Sequence, residues 1–158
     1  MKKYTLILIL LITSYAGLKA QDFDHALGLR FGYGYDEMNG GITYKMLASE
    51  LIGLEGILGV NAKGFLGTAL LEIHKPLTDI QGFYWFYGAG AHVGIIEGVD
   101  NTAQFTLGID GILALEYHLI REWNIPLCVT LDWKPALNLL GEENFWFDDF
   151  NLSVRYTW

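Results

Sequence analysis

The chain of 158 residues has little of several things: one cysteine, three prolines and a charged fraction of only 18%. The lone Cys128 excludes an intramolecular disulfide, and its distance from the N-terminus excludes an N-terminal lipid anchor; the redox compartment stays open. The length confines the protein to one domain with a removable leader, which excludes a multidomain enzyme. The chain is also short of the Ala, Glu, Lys and Arg that long helices use. Its 19 glycines, nine tyrosines, nine phenylalanines and five tryptophans favour an all-β chain. Basic charge is scarce as well. The formal net charge is −8, and with three lysines in the first 20 residues the remainder holds 7 basic against 18 acidic groups. Nucleic acid is excluded as a partner, because phosphate binding needs a basic surface.

What is present begins with an export signal. Lys2 and Lys3 precede an apolar run from Tyr4 to Ile12, and a small-residue stretch ends Ala16-Gly17-Leu18-Lys19-Ala20. This pattern predicts a signal peptide over 1–20, cleaved before Gln21, and a mature domain over 21–158. The run is too short to span a bilayer as an uncleaved anchor, and no later charge-free stretch reaches spanning length.

After residue 21 the sequence divides into about eight segments of alternating character with no helical period: 24–34, 41–48, 51–60, 64–74, 83–96, 104–119, 126–139 and 150–158. Short turns and modest loops join them, including Asp36 to Gly40 and Leu140 to Asp149. Every link is short enough for a hairpin, so an antiparallel up-and-down meander is expected.

Strand side chains alternate between two faces. In the last segment Leu152, Val154, Tyr156 and Trp158 share one face, and Asn151, Ser153, Arg155 and Thr157 share the other. In the sixth, Phe105, Leu107, Ile109, Leu113, Leu115 and Tyr117 oppose Thr106, Gly108, Asp110, Ala114, Glu116 and His118. In the seventh, Leu127, Val129, Leu131 and Trp133 oppose Cys128, Thr130, Asp132 and Lys134. The polar face is rich in Gly28, Gly32, Gly88, Gly90, Gly94 and Gly108 and carries isolated charges of both signs. A solvated face would be crowded with Lys, Glu, Thr and Ser instead. Small residues with paired charges suit the interior of a narrow barrel whose apolar face meets lipid. Outward Trp85, Tyr87, Tyr117, Tyr156 and Trp158 are expected to form an aromatic girdle at one end, with Tyr33, Tyr44, Phe65 and Phe105 at the other. A secreted ligand-carrying β-barrel is the competing reading of the same alternation.

At these residues the chain resembles the small eight-stranded outer-membrane β-barrels of Gram-negative bacteria, the group of the OmpA membrane domain and OmpX. The most specific element is Asn151-Leu152-Ser153-Val154-Arg155-Tyr156-Thr157-Trp158, which looks like the barrel-assembly signal of that group. Lys19-Ala20-Gln21, Tyr87-Gly88-Ala89-Gly90-Ala91-His92 and Leu131-Asp132-Trp133-Lys134-Pro135-Ala136-Leu137-Asn138 look like segments of outer-membrane barrels from Bacteroidetes-type bacteria, a likeness that carries no known activity. The resemblance implies an eight-stranded antiparallel transmembrane barrel in the outer membrane. Implied partners are outer-membrane lipids, lipopolysaccharide and the barrel-assembly machinery, with the barrel as a monomer. Loops are shorter than in the adhesive members, and no periplasmic domain is expected after the last strand.

The inward charges nearly balance. Arg30, Lys45, Lys134 and Arg155 face Glu55, Glu72, Asp110, Glu116 and Asp132, with His74, His92 and His118 beside them. In a narrow lumen these groups are expected to form a linked ion-pair network that fills the barrel, because an isolated charge there is poorly solvated. A water-filled conduit for small solutes or ions is the alternative, which eight strands rarely leave room for. Glu72-Ile73-His74 and Glu116-Tyr117-His118 carry the donor types of a divalent metal site, but one strand separates them and membership of the polar network is the simpler role. No metal or other cofactor is expected. A lipid-modifying hydrolase, the third reading, needs a serine beside a histidine on the lipid-facing side. The only serines after the leader are Ser49 and Ser153, and neither lies two residues from a histidine, so no enzyme is expected. Cys128 is expected to fill the lumen. Asp36, Glu37, Glu97, Asp100, Glu142, Glu143, Asp148 and Asp149 make the outer loops acidic, solvated or bridged by the divalent cations that bridge lipopolysaccharide phosphates. The sequence thus reads as a non-catalytic outer-membrane barrel with a structural or envelope-integrity role.

Overall fold

The computed structural model describes residues 23–34, 37–49, 51–77, 81–98, 100–141 and 144–158. The predicted signal peptide, Asp36, Glu142 and Glu143 lie outside the described residues. Long antiparallel strands follow the alternation closely: β1 (His25–Gly34), β2 (Glu37–Ser49), β3 (Ile52–Asn61), β4 (Gly64–Pro76), β5 (Phe83–Glu97) and β6 (Ala103–His118). They continue in β7 (Leu127–Trp133), β8 (Ala136–Leu140), β9 (Phe145–Trp146) and β10 (Phe150–Thr157). Each of β1 to β6 pairs with its neighbour in sequence, β6 pairs with β7 and β8, β7 pairs with β10, and β10 returns to β1. The return runs in register from Ala26↔Thr157 to Tyr33↔Phe150 and closes the sheet, which removes both edges. With β7/β8 and β9/β10 each counted as one stave, the result is a closed eight-stranded antiparallel barrel.

The structure departs from the expected boundaries in three places. The segment Glu37 to Gly40, expected as loop, belongs to β2 and pairs with β1 from Gly34↔Glu37 onward. The seventh segment, expected to be continuous over 126–139, breaks at Lys134-Pro135. Proline has no N–H to donate and is confined to strand starts, edges and bulges. The gap is bridged by Gly111 N–H donating to the Pro135 carbonyl at 2.8 Å and Lys134 N–H donating to the Asp149 carbonyl at 2.8 Å. Third, the link after β6 contains a single helical turn, α1 (Ile120–Trp123), closed by Asn124 in the left-handed region. Four residues carry no readable period, so this turn is invisible to a pattern search.

Face assignment survives all three changes. Arg155 is 0% exposed while Leu152 and Tyr156 on the same strand are 47% and 55% exposed. Leu29, Phe31, Leu58, Leu71, Ile109 and Leu131 likewise stand on the outer face. The usual inside-apolar arrangement is therefore inverted: the outside carries the large hydrophobic side chains, and the inside carries the charges.

Candidate functional site

The functional candidate is the barrel interior, and alternation alone decides who enters it. Residues at every second position of each strand point inward, so the ladder registers bring together side chains up to 112 residues apart in sequence. All twelve ionisable residues expected inside (Arg30, Lys45, Glu55, Glu72, His74, His92, Asp110, Glu116, His118, Asp132, Lys134 and Arg155) are buried there.

They form two groups. In the first, nearer the end where the described residues begin and finish, at Phe23 and Trp158, Lys45 Nζ lies 2.9 Å from Glu72 Oε2, 2.9 Å from Glu116 Oε2 and 3.6 Å from Glu55 Oε2. The ammonium also sits 3.8 Å above the centre of the Phe86 ring, a cation–π contact in a dry setting. Arg155 bonds Glu55, donates through Nη1 to Thr130 Oγ1 at 2.6 Å and through Nε to Thr43 Oγ1 at 3.2 Å. Thr43 in turn donates to Glu55, and Thr130 to Glu116 at 2.8 Å, so each hydroxyl links a guanidinium to a carboxylate. The two Glu-x-His tripeptides meet here. His74 Nε2 is 3.0 Å from Glu72 Oε2, His118 Nε2 is 2.9 Å from Glu116 Oε1, and His74 Nδ1 is 3.8 Å from Glu116 Oε1. Gly53 supplies the room, since a Cβ there would stand 2.8 Å from His74 Nε2. Among the described residues no cluster is arranged to hold a metal ion.

The second group lies toward the opposite end. Arg30 makes a two-pronged bond to Asp132, at 2.7 and 2.6 Å. Lys134 Nζ bridges Asp110 and Asp149, each at 3.0 Å. His92 spans from Asp110 Oδ2 to Asn138 Oδ1, both at 2.9 Å, with its ring stacked on Trp146. That ring also covers Gly108, where a Cβ would come within 2.5 Å of it.

Several interior residues escaped the sequence reading. Ile57, Leu70, Phe86 and Ile112, together with Ala114, which the alternation had already placed inward, form an apolar cluster inside the barrel. Their inward parity was available, yet an apolar residue on the polar face carries no label of its own. Asp149, expected in a solvated acidic loop, is buried and accepts from Asn39, Asn151 and Lys134. It keeps the inward parity of Asn151, Ser153 and Arg155, one residue before β10 begins at Phe150, although loop composition gives no sign of it. Cys128 is fully buried against Phe23 and Ala26. Ser49 Oγ accepts from the turn amides of Leu51 and Ile52, and Ser153 points inward.

On the outside, Trp85 and Tyr87 pack together under Lys75, Tyr117 contacts Phe83 and Trp123, and Tyr156 stacks on Trp158. Tyr44, expected at the opposite end, belongs with the termini: it pairs with Leu27, its hydroxyl is 2.9 Å from His25 Nδ1, and His25 stacks on Trp158. The extension of β2 explains the shift, because the strand enters earlier and Tyr44 lies further down it. The far end instead gains Trp133, Phe145, Phe147 and Phe150, with Trp133 Nε1 donating to the Phe147 carbonyl at 2.7 Å.

Fold and interior define the class: a closed, antiparallel eight-stranded barrel with an ionic interior and an apolar exterior. Among solved structures it is similar to the N-terminal β-barrel domain of Pseudomonas aeruginosa OprF, with a TM-score of 0.65 and 14% sequence identity, covering 87% of this chain and 100% of that one. No protein-family model matches the sequence, and no curated protein does.

Proposed function

We propose that the protein is a non-catalytic integral barrel of the Gram-negative outer membrane, with a structural or envelope-integrity role and a lumen closed by its own side chains. One observation carries this reading: large apolar side chains stand exposed around the barrel while thirteen acidic, basic and histidine residues, Asp149 among them, are buried within it. In water that arrangement exposes hydrocarbon far beyond the few hundred Å² a soluble monomer presents, whereas in a bilayer it is the favourable one. The aromatic residues near the termini suit one membrane–water interface, and those around Trp133 suit the other. Outer-membrane lipids and lipopolysaccharide then surround the barrel, and its last strand, ending in Tyr156 and Trp158, serves the assembly machinery. The closed-lumen reading rests on Lys45 and Arg155, which meet carboxylates and the Phe86 ring across the bore.

Two measurements test the proposal. Cell fractionation followed by unboiled and boiled electrophoresis is expected to place the protein in the outer membrane with heat-modifiable migration, because a closed ladder resists detergent until heated. Recovery from the soluble periplasm without detergent would defeat it. Planar-bilayer recording is expected to show no steady single-channel current, and reproducible channels in the wild-type protein would replace the closed lumen with a conduit.

A further inference from the structure

Lys75 stands apart from the other cations of the barrel. Arg30, Lys45, Lys134 and Arg155 are buried inside, whereas Lys75, near the end of β4, is exposed on the outer face in phase with Leu71 and Ile73. Among the described residues it is the only lysine or arginine on the outer face of a strand. A charge on a lipid-facing surface is costly at mid-bilayer and tolerated near an interface, where a lysine chain carries its ammonium toward the headgroups. The ammonium reaches over β5: Nζ lies 5.5 Å from the centre of the Trp85 ring and 5.6 Å from that of Tyr87, and the two rings are 5.5 Å apart. Among the described residues no carboxylate pairs with it, and neither the Trp85 indole N–H nor the Tyr87 hydroxyl has a protein acceptor. Glu122, an exposed acid at the same end of the barrel, already accepts from the Tyr117 hydroxyl. One cation and two neutral donors therefore share a single outer patch with nothing from the chain to receive them.

The position of the patch narrows what meets it. The inference rests on the reading of the protein as a membrane barrel, in which this face meets lipid and the acceptor comes from the bilayer. An ammonium forms its strongest bond with an anionic oxygen, and an indole N–H and a phenol supply two further donors to the same group. A single phosphodiester presents one negative charge and several acceptor oxygens, which matches this set. A lipid carrying several phosphates would call for several cations. Next to the donors the outer face is low. The ladder pairs Ile73 with Tyr87, Leu71 with Ala89 and Ala69 with Ala91, so toward mid-barrel the bulky rings give way to alanines exposed on the surface. We infer that Lys75, Trp85 and Tyr87 form a binding site for one anionic glycerophospholipid, its phosphate held by the three donors and one acyl chain lying over Ala89, Ala91 and Ala69.

The test folds the full chain into micelles of a polyoxyethylene detergent, which carries no phosphate. Native mass spectrometry then follows retention of added phosphatidylglycerol, phosphatidylcholine of the same acyl chains, or lipid A. One phosphatidylglycerol is expected to be held about fivefold more tightly than phosphatidylcholine, the preference that one lysine at a membrane surface supplies. Lys75→Gln is expected to bring that ratio to about one, and Lys75→Arg to keep it. Tyr87→Phe, which removes a donor and no charge, is expected to weaken retention about two- to fivefold. All three substitutions lie on the outer face, and heat-modifiable migration shows that each variant is folded. Equal retention of the two phospholipids by the folded wild-type protein overturns the inference. So does a ratio unchanged in folded Lys75→Gln protein, or a preference for lipid A. In those outcomes a wild-type protein that inserts into phosphatidylcholine vesicles still stands as a membrane barrel. A protein that fails to insert there and stays soluble without detergent overturns both readings.

Discussion

Lys45 and Lys134 are both buried lysines that serve more than one carboxylate, yet their surroundings differ. Lys45 is fully enclosed, with three glutamates around its ammonium and an aromatic ring beneath it. Lys134 meets two aspartates and lines the concavity that opens at the far end of the barrel. In the enclosed group a missing charge leaves partners that no solvent can reach. In the open group water can enter from the concavity and screen the loss. The same residue type thus holds the barrel together in one half and shapes an opening in the other.

Breaking the enclosed group is the severest test. Lys45→Met would leave Glu55, Glu72 and Glu116 with Arg155 as their remaining strong cation, and a loss of about 3–5 kcal/mol is expected in urea unfolding of the refolded barrel. A loss below about 1 kcal/mol would mean that water already reaches this half, against the comparison drawn above. Arg155→Ala is expected to follow closely, at about 3 kcal/mol or more, since Glu55, Thr43 and Thr130 all lose their guanidinium partner. Bilayer conductance is expected to change little in either variant, because Phe86, Leu70 and Ile112 still occupy the bore.

Lys134→Met sharpens the contrast. Its loss is expected at about 1–2 kcal/mol, with Asp110 still held by His92 and Asp149 by two asparagines. A value equal to that of Lys45→Met would erase the difference between the halves. Tyr44→Phe, which removes only an exposed bond to His25, is expected to cost about 0.5–1 kcal/mol in the same assay. Cys128 is expected not to react at all with a bulky maleimide in the folded protein and to label fully after boiling, because its thiol is sealed between Phe23 and Ala26. Rapid labelling of the native barrel would show that the enclosed half is open.

The eight-stranded barrel was legible because alternation survives any error in strand ends: moving a boundary by four residues, as at Glu37, leaves every later side chain on its own face. Positions that depend on height along the barrel were not so protected. Tyr44 carries the correct outward parity but stands at the termini end, since height follows strand entry and tilt, which parity does not encode. Trp146 was unreadable for a related reason: its inward turn comes with the short strand β9, out of phase with β10, a local break of the period rather than an instance of it. Asp149 differs, since it keeps the parity of Asn151 and Arg155 and was hidden only by being assigned to a loop, where parity is not read.

What the sequence determined by itself is the inversion of the barrel: charges and small residues at one parity, large apolar residues at the other, and links short enough to force neighbouring strands to pair. Which charges meet was decided only in three dimensions. Arg155 finds Glu55 across 100 residues of chain and Arg30 finds Asp132 across 102, separations at which composition and spacing carry no information. Sheet closure and strand register set those distances. The division into an enclosed half and an open one arises the same way, from where Phe86, Leu70 and Ile112 pack inside the bore and where glycines such as Gly59 leave it unfilled.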